Sequence, residues 1–578
     1  MKKRNILYGI MIAVVFALTA CDLDRIPEDT LSPQTYFSSE NELRLWTNYF
    51  YSQLDSPNSL AGQNADDNID SSLGEVMDGQ RSASDEGGWN WSMLRSINYY
   101  LQHSHQCKDE KAREHYDGVA YFMRAYFYFV KVRRYGDVPW YNQVLGSADE
   151  ELLFKARQDR EIIMDSVMND LDRAIAMLPE NKTMETVNKW TALALKSRAA
   201  LYEGTFRKYH GLPNSEKFLQ HAAQAGDEFI SSGKYSLFTQ GNEPYRSLFN
   251  DDAKVNDASS EIILWQVFST SANLMNSIQF NIANSRQAFT RNFMNHYLMA
   301  DGSRFQDHDG WQTMQFVEEV TNRDSRLAQT VLTPGYVQKG TDAAVPNLIT
   351  SYTGYQPIKF VAGPDYDGSN KGITNWPLFR SAEVFLNFAE AKAELGTLTQ
   401  ADLDKSINVI RTRANMPSID LVTANSNIDP WLLSYYPNVT KSSNTGVILE
   451  IRRERTIELV MEGFRQWDLL RWKEGANFTK PFHGVYFAGT GTYDMDGDGT
   501  PDILIYEDTA EDFSGRRLKL GSDIVLTEGT SGYVLALSET TLNWVETRDY
   551  LWPIPANQRQ LTEGKLTQNN GWDDGLPY

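Results

Sequence analysis

Residues 381–395 read Ser-Ala-Glu-Val-Phe-Leu-Asn-Phe-Ala-Glu-Ala-Lys-Ala-Glu-Leu, and Gly396 follows. The run reads as a helix, and the glycine ends it. After a short turn, Leu403 to Ala414 reads as a second helix. Helix, tight turn, helix, with small residues at the crossing, is the pattern of tetratricopeptide-type pairs. Upstream the same grammar recurs. Glu114 to Tyr135 carries Phe122, Ala125, Phe129 and Val132 on one stripe, and Gly136 and Pro139 stop it. Asp159 to Leu178 is a second helix, stopped by Pro179. Lys189 to Tyr209 is a third, and Glu216 to Ser232 a fourth, stopped by Gly233. Ala192, Ala194, Ala199, Ala200, Ala222, Ala223 and Ala225 sit where helices could approach closely.

The rest of the chain is less periodic. A helix is expected from Ser39, with Glu42 completing a capping box. Ala61 to Gly88 is polar and reads as a long ordered loop. Phe238 to Pro377 is irregular but rich in aromatics, which favours order over disorder. The fold class is therefore mainly α: irregular tetratricopeptide-like helix pairs with long loops and a few short strands.

The N-terminus carries an export signal. Lys2, Lys3 and Arg4 precede an uncharged apolar stretch that closes on Leu18-Thr19-Ala20-Cys21. That core is too short to span a bilayer and fits a cleaved leader. Leu-Thr-Ala-Cys resembles the bacterial lipobox, so Cys21 is the expected lipidated N-terminus. The expected divisions are a leader at 1–20, a tether at 21–35, a helical region at 36–237, and a region with loop insertions at 238–578, packed as one unit. The other cysteine, Cys107, then has no partner, so stability must come from a large core. Loss of the leader takes three positive charges off the net −21, to −24. Such acidity argues against nucleic acid and is compatible with neutral ligands.

Several stretches resemble the SusD/RagB family of outer-membrane lipoproteins of Bacteroidetes. They are Arg124 to Pro139; Phe379 to Val384 with Ala389–Ala391 and Ile410–Ala414; Ile451 to Leu459 with Glu462–Arg465 and Asp468–Trp472; and Tyr550–Pro555 with Leu566–Asn569. They cover nearly the whole mature chain in the family's order. The resemblance implies a surface-exposed, non-enzymatic protein. It would capture an oligosaccharide and sit as a lid on a SusC-like, TonB-dependent transporter. Some relatives serve peptide uptake instead. Asp22 and Asp24 resemble the surface-export signal of that phylum.

Sugar binding needs flat aromatic surface for C–H faces and fixed polar groups for hydroxyls. With aromatics at 12% of the chain, several loops offer both. The best mixture runs from Asp66, Asp67 and Asn68 through Arg81 to Trp89 and Trp91. Alternation on an extended segment puts those two indoles on one side, although Trp91 could instead open the next helix as core. A second candidate is Asp307 to Trp311, with Asp309 and Trp311 foremost. Tyr355, Asp365 and Tyr366 form a third. Glu454, Glu458 and Glu462 fall on one helical face among arginines. They read as a structural charge network rather than catalytic acids, which leaves a glycoside hydrolase as the lesser alternative. Asp494, Asp496, Asp498, Thr500 and Asp502 resemble a calcium loop. Position 12 is Ile505 rather than glutamate, so a structural calcium site and a plain acidic turn are both open.

Overall fold

The computed structural model describes residues 36–578 except 57–63, 85–86, 147, 251–256, 342–343 and 347. The leader, Cys21 and the tether lie outside the described residues. Ten helices and nine short strands carry the argument. The helices are α1 (Glu40–Phe50), α2 (Ser92–His103), α3 (Glu110–Tyr135), α4 (Arg160–Met177), α5 (Lys189–His210), α6 (Ser215–Ser231), α7 (Ser381–Glu394), α8 (Ile407–Arg413), α9 (Thr445–Glu458) and α10 (Arg465–Arg471). The strands are β1 (Asn68–Ile69), β2 (Ile262–Gln266), β3 (Ala288–Phe289), β4 (Trp376–Arg380), β5 (Phe482–Phe487), β6 (Gly491–Tyr493), β7 (Ile503–Tyr506), β8 (Arg516–Lys519) and β9 (Gly532–Ala536).

Local chemistry fixes the helix ends. Asp109 accepts the amides of Lys111 and Ala112 at the start of α3, and Asn188 accepts those of Trp190 and Thr191 at the start of α5. Gly136 closes α3 and Gly211 closes α5, both at positive φ where a side chain is disfavoured. At α1, Glu42 reaches back to the Ser39 amide at 3.0 Å. The expected second helix of the downstream pair is interrupted. A short helix at Gln400–Asp404 stops before α8. The break falls at Ser406, whose backbone lies outside the helical region at φ −132° and ψ −92° and whose hydroxyl donates to the Asp402 carbonyl.

Helices pack as consecutive pairs, α3 on α4 and α5 on α6, and α6 then packs on α7. Small residues permit the crossings. A Cβ on Gly204 would lie 2.8 Å from the Leu219 amide nitrogen of α6, and one on Gly226 would lie 2.8 Å from Cβ of Phe388 in α7. Gly204→Ala is expected to lower stability by about 1–3 kcal/mol through overpacking. A denaturant midpoint shifted down at constant slope would show this.

Among the described residues two large apolar cores result, with two small clusters beside them. The first gathers α1 to α7, α9 and α10, and buries residues such as Phe122, Tyr128, Leu193, Leu386 and Trp472. The second is built from the expected irregular region, including Phe249, Phe289, Phe360 and Trp376, together with Val485 and Val534 of the paired β5 and β9. The polar segment before α2 is not wholly loop, because its β1 pairs antiparallel with β3. Beside these cores runs a buried ion network. Arg380 meets Glu261, Glu458 and Glu462 at 2.8, 2.7 and 2.8 Å. Arg326 meets Asp324, Glu454 and Glu458 at 2.6, 2.9 and 3.2 Å. The network is structural, but its wiring differs from the helical spacing. α9 ends at Glu458, so Glu462 lies in the following turn, and the partners of all three glutamates come from other segments. Arg455 and Arg471 meet instead at Asp468, at 2.7 and 2.9 Å.

Candidate functional site

Three chain segments bring half-buried rings together on the second core. Trp311 opens a short 3₁₀ turn after Gly310, which turns the chain at φ 75°. His483 and Tyr486 come from β5, and Tyr533 comes from β9. The Tyr533 ring is 5.4 Å from the His483 ring, nearly parallel at 21°, and 5.7 Å from Tyr486. Its hydroxyl donates to the Gln312 carbonyl at 2.7 Å, which ties β9 to the Trp311 turn.

Arg291 holds this platform from beneath. Its guanidinium lies 4.4 Å from the Tyr533 ring centre and 6.0 Å from that of Trp311, and it donates to the Trp311 carbonyl at 2.9 Å. Buried Glu319 fixes it at 3.2 Å, and the Tyr355 hydroxyl lies 3.2 Å away. A buried ion pair beneath the rings fixes their positions before any ligand arrives. Burial, and then the Arg291 charge, lower the His483 pKa below its usual value, so the imidazole is neutral at pH 7 and offers one donor and one acceptor. Flat rings edged by the exposed Gln312 suit a neutral, hydroxyl-rich ligand.

The sequence candidates divide among several places. Trp311 is in the platform, and Asp309 is exposed in the turn just before it. Asp67 and Asn68 are buried beneath rather than presented. The Asp67 carbonyl accepts the Thr290 amide at 3.0 Å, and Asn68 accepts from Gln287 at 2.7 Å. They therefore position the chain leading into Arg291. Burial, and then the neighbouring Asp66 charge, push the Asp67 carboxyl up to about 7. Arg81 is not available to a ligand. It pairs with Asp549 at 3.2 Å and stacks 4.7 Å from the Trp552 ring, with its side chain 1% exposed. Trp89 and Trp91 do share one cavity, away from the platform, but Trp89 is 93% buried by its packing on Tyr135. Tyr366 lies on a separate turn, Pro364–Tyr366, tethered through Asp367 to Gln279. No described hydrogen bond or ring contact joins it to the platform.

Arg291, His483, Tyr486 and Tyr533 were not singled out from sequence. Tyr533 sits in a short alternating strand, which was a usable signal. Its pairing with β5 some fifty residues earlier was not legible.

Asp494, Asp496 and Asp502 bring carboxylate oxygens within 4.8 Å of one another. The loop wraps round Asp494, which accepts the amides of Gly497 and Gly499 at 2.6 and 2.8 Å. Asp498 accepts the Thr500 amide at 2.6 Å. β6 and β7 flank the loop, and Ile505 is buried in β7, so it is a strand–loop–strand turn without the two helices of an EF-hand. An all-oxygen donor set fits a hard cation such as calcium.

Comparison with known proteins follows this geometry. A model described as the SusD family matches residues 260–572, and one described as starch-binding associating with outer membrane matches residues 63–201. SusD-like protein P25 of Formosa agariphila is 24% identical over 535 residues, covering 82% of this chain and 90% of its own. SusD-like protein P38 of the same organism is 23% identical over 393 residues, covering 64% and 69%. A SusD-like protein of Bacteroides fragilis superposes with TM-score 0.68 at 22% identity, over 95% of this chain and all of its own. A SusD-like carbohydrate-binding protein of the same species gives 0.68 at 20% identity, over 91% and 99%. These superpositions match the mainly α, helix-pair fold.

Proposed function

The chain belongs to the SusD family, and from that membership we propose that it captures glycans at the cell surface and passes them, uncleaved, to a SusC-like, TonB-dependent outer-membrane transporter. The observation that carries the reading is the ring platform of Trp311, Tyr533, Tyr486 and His483, pinned by the buried Arg291–Glu319 pair. Stacking rings with neutral polar edges match sugar faces and hydroxyls. The carbohydrate-binding relative and the starch-binding family description support that choice of ligand.

The glutamate cluster that could suggest a hydrolase is committed to ion pairs. Glu454 and Glu458 are buried and held by arginines, and Glu462 by Arg380 and Lys359, so none faces a glycosidic bond. Affinity gel electrophoresis with immobilised polysaccharides tests the reading. Retardation on at least one polysaccharide, with no reducing ends released, is expected; release of product would reject it.

In this proposal lipid on Cys21 holds the protein to the outer membrane, and membership of the family is what puts it on the outward face. Among the described residues no helix is long and apolar enough to cross a membrane. Cys21→Ser is expected to release the protein from the membrane fraction, and protease applied to intact cells should digest the wild type.

The Asp494–Asp502 loop holds a structural calcium in this proposal, bound by Asp494, Asp496 and Asp502, with Asp498 and Thr500 alongside. Calorimetric titration should show one calcium site that Asp496→Asn removes. No heat with the wild-type protein would leave the loop a plain acidic turn.

A further inference from the structure

The cavity that Trp89 and Trp91 share differs in character from the ring platform. It encloses about 350 Å³, at the small end of the range for drug-sized ligands. Trp91 stands edge-to-face with both Trp89 and Tyr141, at 75° and 83° and at centroid distances of 5.4 and 5.7 Å. Such rings accept a third aromatic ring by edge-to-face contact more readily than they offer an open face to a sugar. Leu94, Leu145 and Leu153 complete an apolar wall. Of the three amide side chains that line it, Asn98, Gln143 and Gln558, the innermost is already spent. Asn98 donates to the carbonyls of Tyr141 and Gln143 at 3.0 and 3.3 Å and accepts from Arg124 at 3.3 Å.

Charge narrows the ligand further. In a chain of net charge −21, no residue lining this cavity is acidic, and Arg95 is basic and exposed. One Arg95 nitrogen donates to the Leu145 carbonyl, which anchors the guanidinium beside the cavity. Its remaining nitrogens make no hydrogen bond among the described residues. An anchored guanidinium with free donors is a carboxylate receptor.

We propose that this cavity binds a small aryl carboxylate, with its ring against Trp91 and Tyr141 and its carboxylate on Arg95. The site is independent of the glycan platform. It shares no lining residue with it, and its rings pack on the first core, whereas the platform stands on the second. An aryl acid is a chemistry distinct from the neutral sugars proposed for the platform, so the protein would recognise two classes of ligand in two places.

Isothermal titration of the intact protein with 4-hydroxycinnamate and with its methyl ester tests this. The acid should bind one site per chain and more tightly than the ester. Arg95→Gln should weaken the acid by roughly tenfold or more, the loss expected for a charge-assisted hydrogen bond, and leave the ester unchanged. Leu153→Trp, which places bulk on a partly exposed wall residue, should weaken both. Glycan binding by the Arg95→Gln protein should match the wild type, so failure here is separable from failure of the glycan reading. Three results would overturn the proposal: no saturable binding of either probe, equal affinity for acid and ester, or displacement of the acid by an oligosaccharide that binds the platform.

Discussion

Trp311→Ala weakens glycan binding by roughly tenfold to hundredfold in this reading, with little change in the thermal midpoint. A half-buried indole stacked on a sugar contributes about 1.5–3 kcal/mol through apolar area and ring contact, and each 1.4 kcal/mol is about tenfold in affinity. Its ring contacts within the protein are loose: Phe305 lies 6.0 Å away, edge-on, and Arg291 lies at the same distance. The loss therefore falls on binding rather than folding. Tyr533→Phe should have a smaller effect of the same kind. It keeps the ring over Arg291 but removes the 2.7 Å bond to the Gln312 carbonyl, and so loosens the tie between β9 and the Trp311 turn. Isothermal titration against the retarding polysaccharide's oligosaccharides measures both.

The second large effect lies far from the ligand. Glu458→Gln should cost about 3–5 kcal/mol of stability, the range for breaking a buried ion network by removing one partner. Glu458 is fully buried and accepts from Arg326, Arg380 and Arg413, and glutamine keeps its shape but not its charge. The same network sets the acid limit of the fold. Burial alone would raise the Glu458 pKa, but Arg413, Arg380 and Arg326 outweigh it and hold the group below its usual 4.5; Glu462 is lowered in the same way by Arg380 and Lys359, and Glu390 by Arg471 and Arg455. A carboxylate with a lowered folded pKa contributes stability above its unfolded value. That contribution disappears as pH falls through the folded value. This network should therefore lower the wild-type midpoint steeply below about pH 4. Glu458→Gln should start lower and fall less steeply.

What could be read in advance follows from the range of each signal. Helix stripes and caps are local, so α3 to α7 emerged to within a few residues of their ends. α8 was overextended because the backbone leaves the helical region at Ser406, and periodicity is blind to such a local break. The charge network was recognised as structural, but its wiring was not, because Arg326, Arg380 and Arg413 reach Glu458 from other segments. The same limit governed the site. Trp311 announced itself through polar neighbours, whereas Tyr533 and His483 become a platform only when β5 pairs with β9. Arg81 misled for the opposite reason. A lone arginine in a polar loop looks free until the C-terminal segment brings Asp549 and Trp552 to it.

A glycan array probed with the mature wild-type protein and with the Trp311→Ala variant, with bound material eluted and analysed for cleavage, bears most directly on glycan capture at the ring platform. The wild type should retain one class of neutral oligosaccharide intact, and the variant should lose that signal. A wild type that binds no glycan, a variant that binds as well as the wild type, or cleaved sugars in the eluate would contradict it.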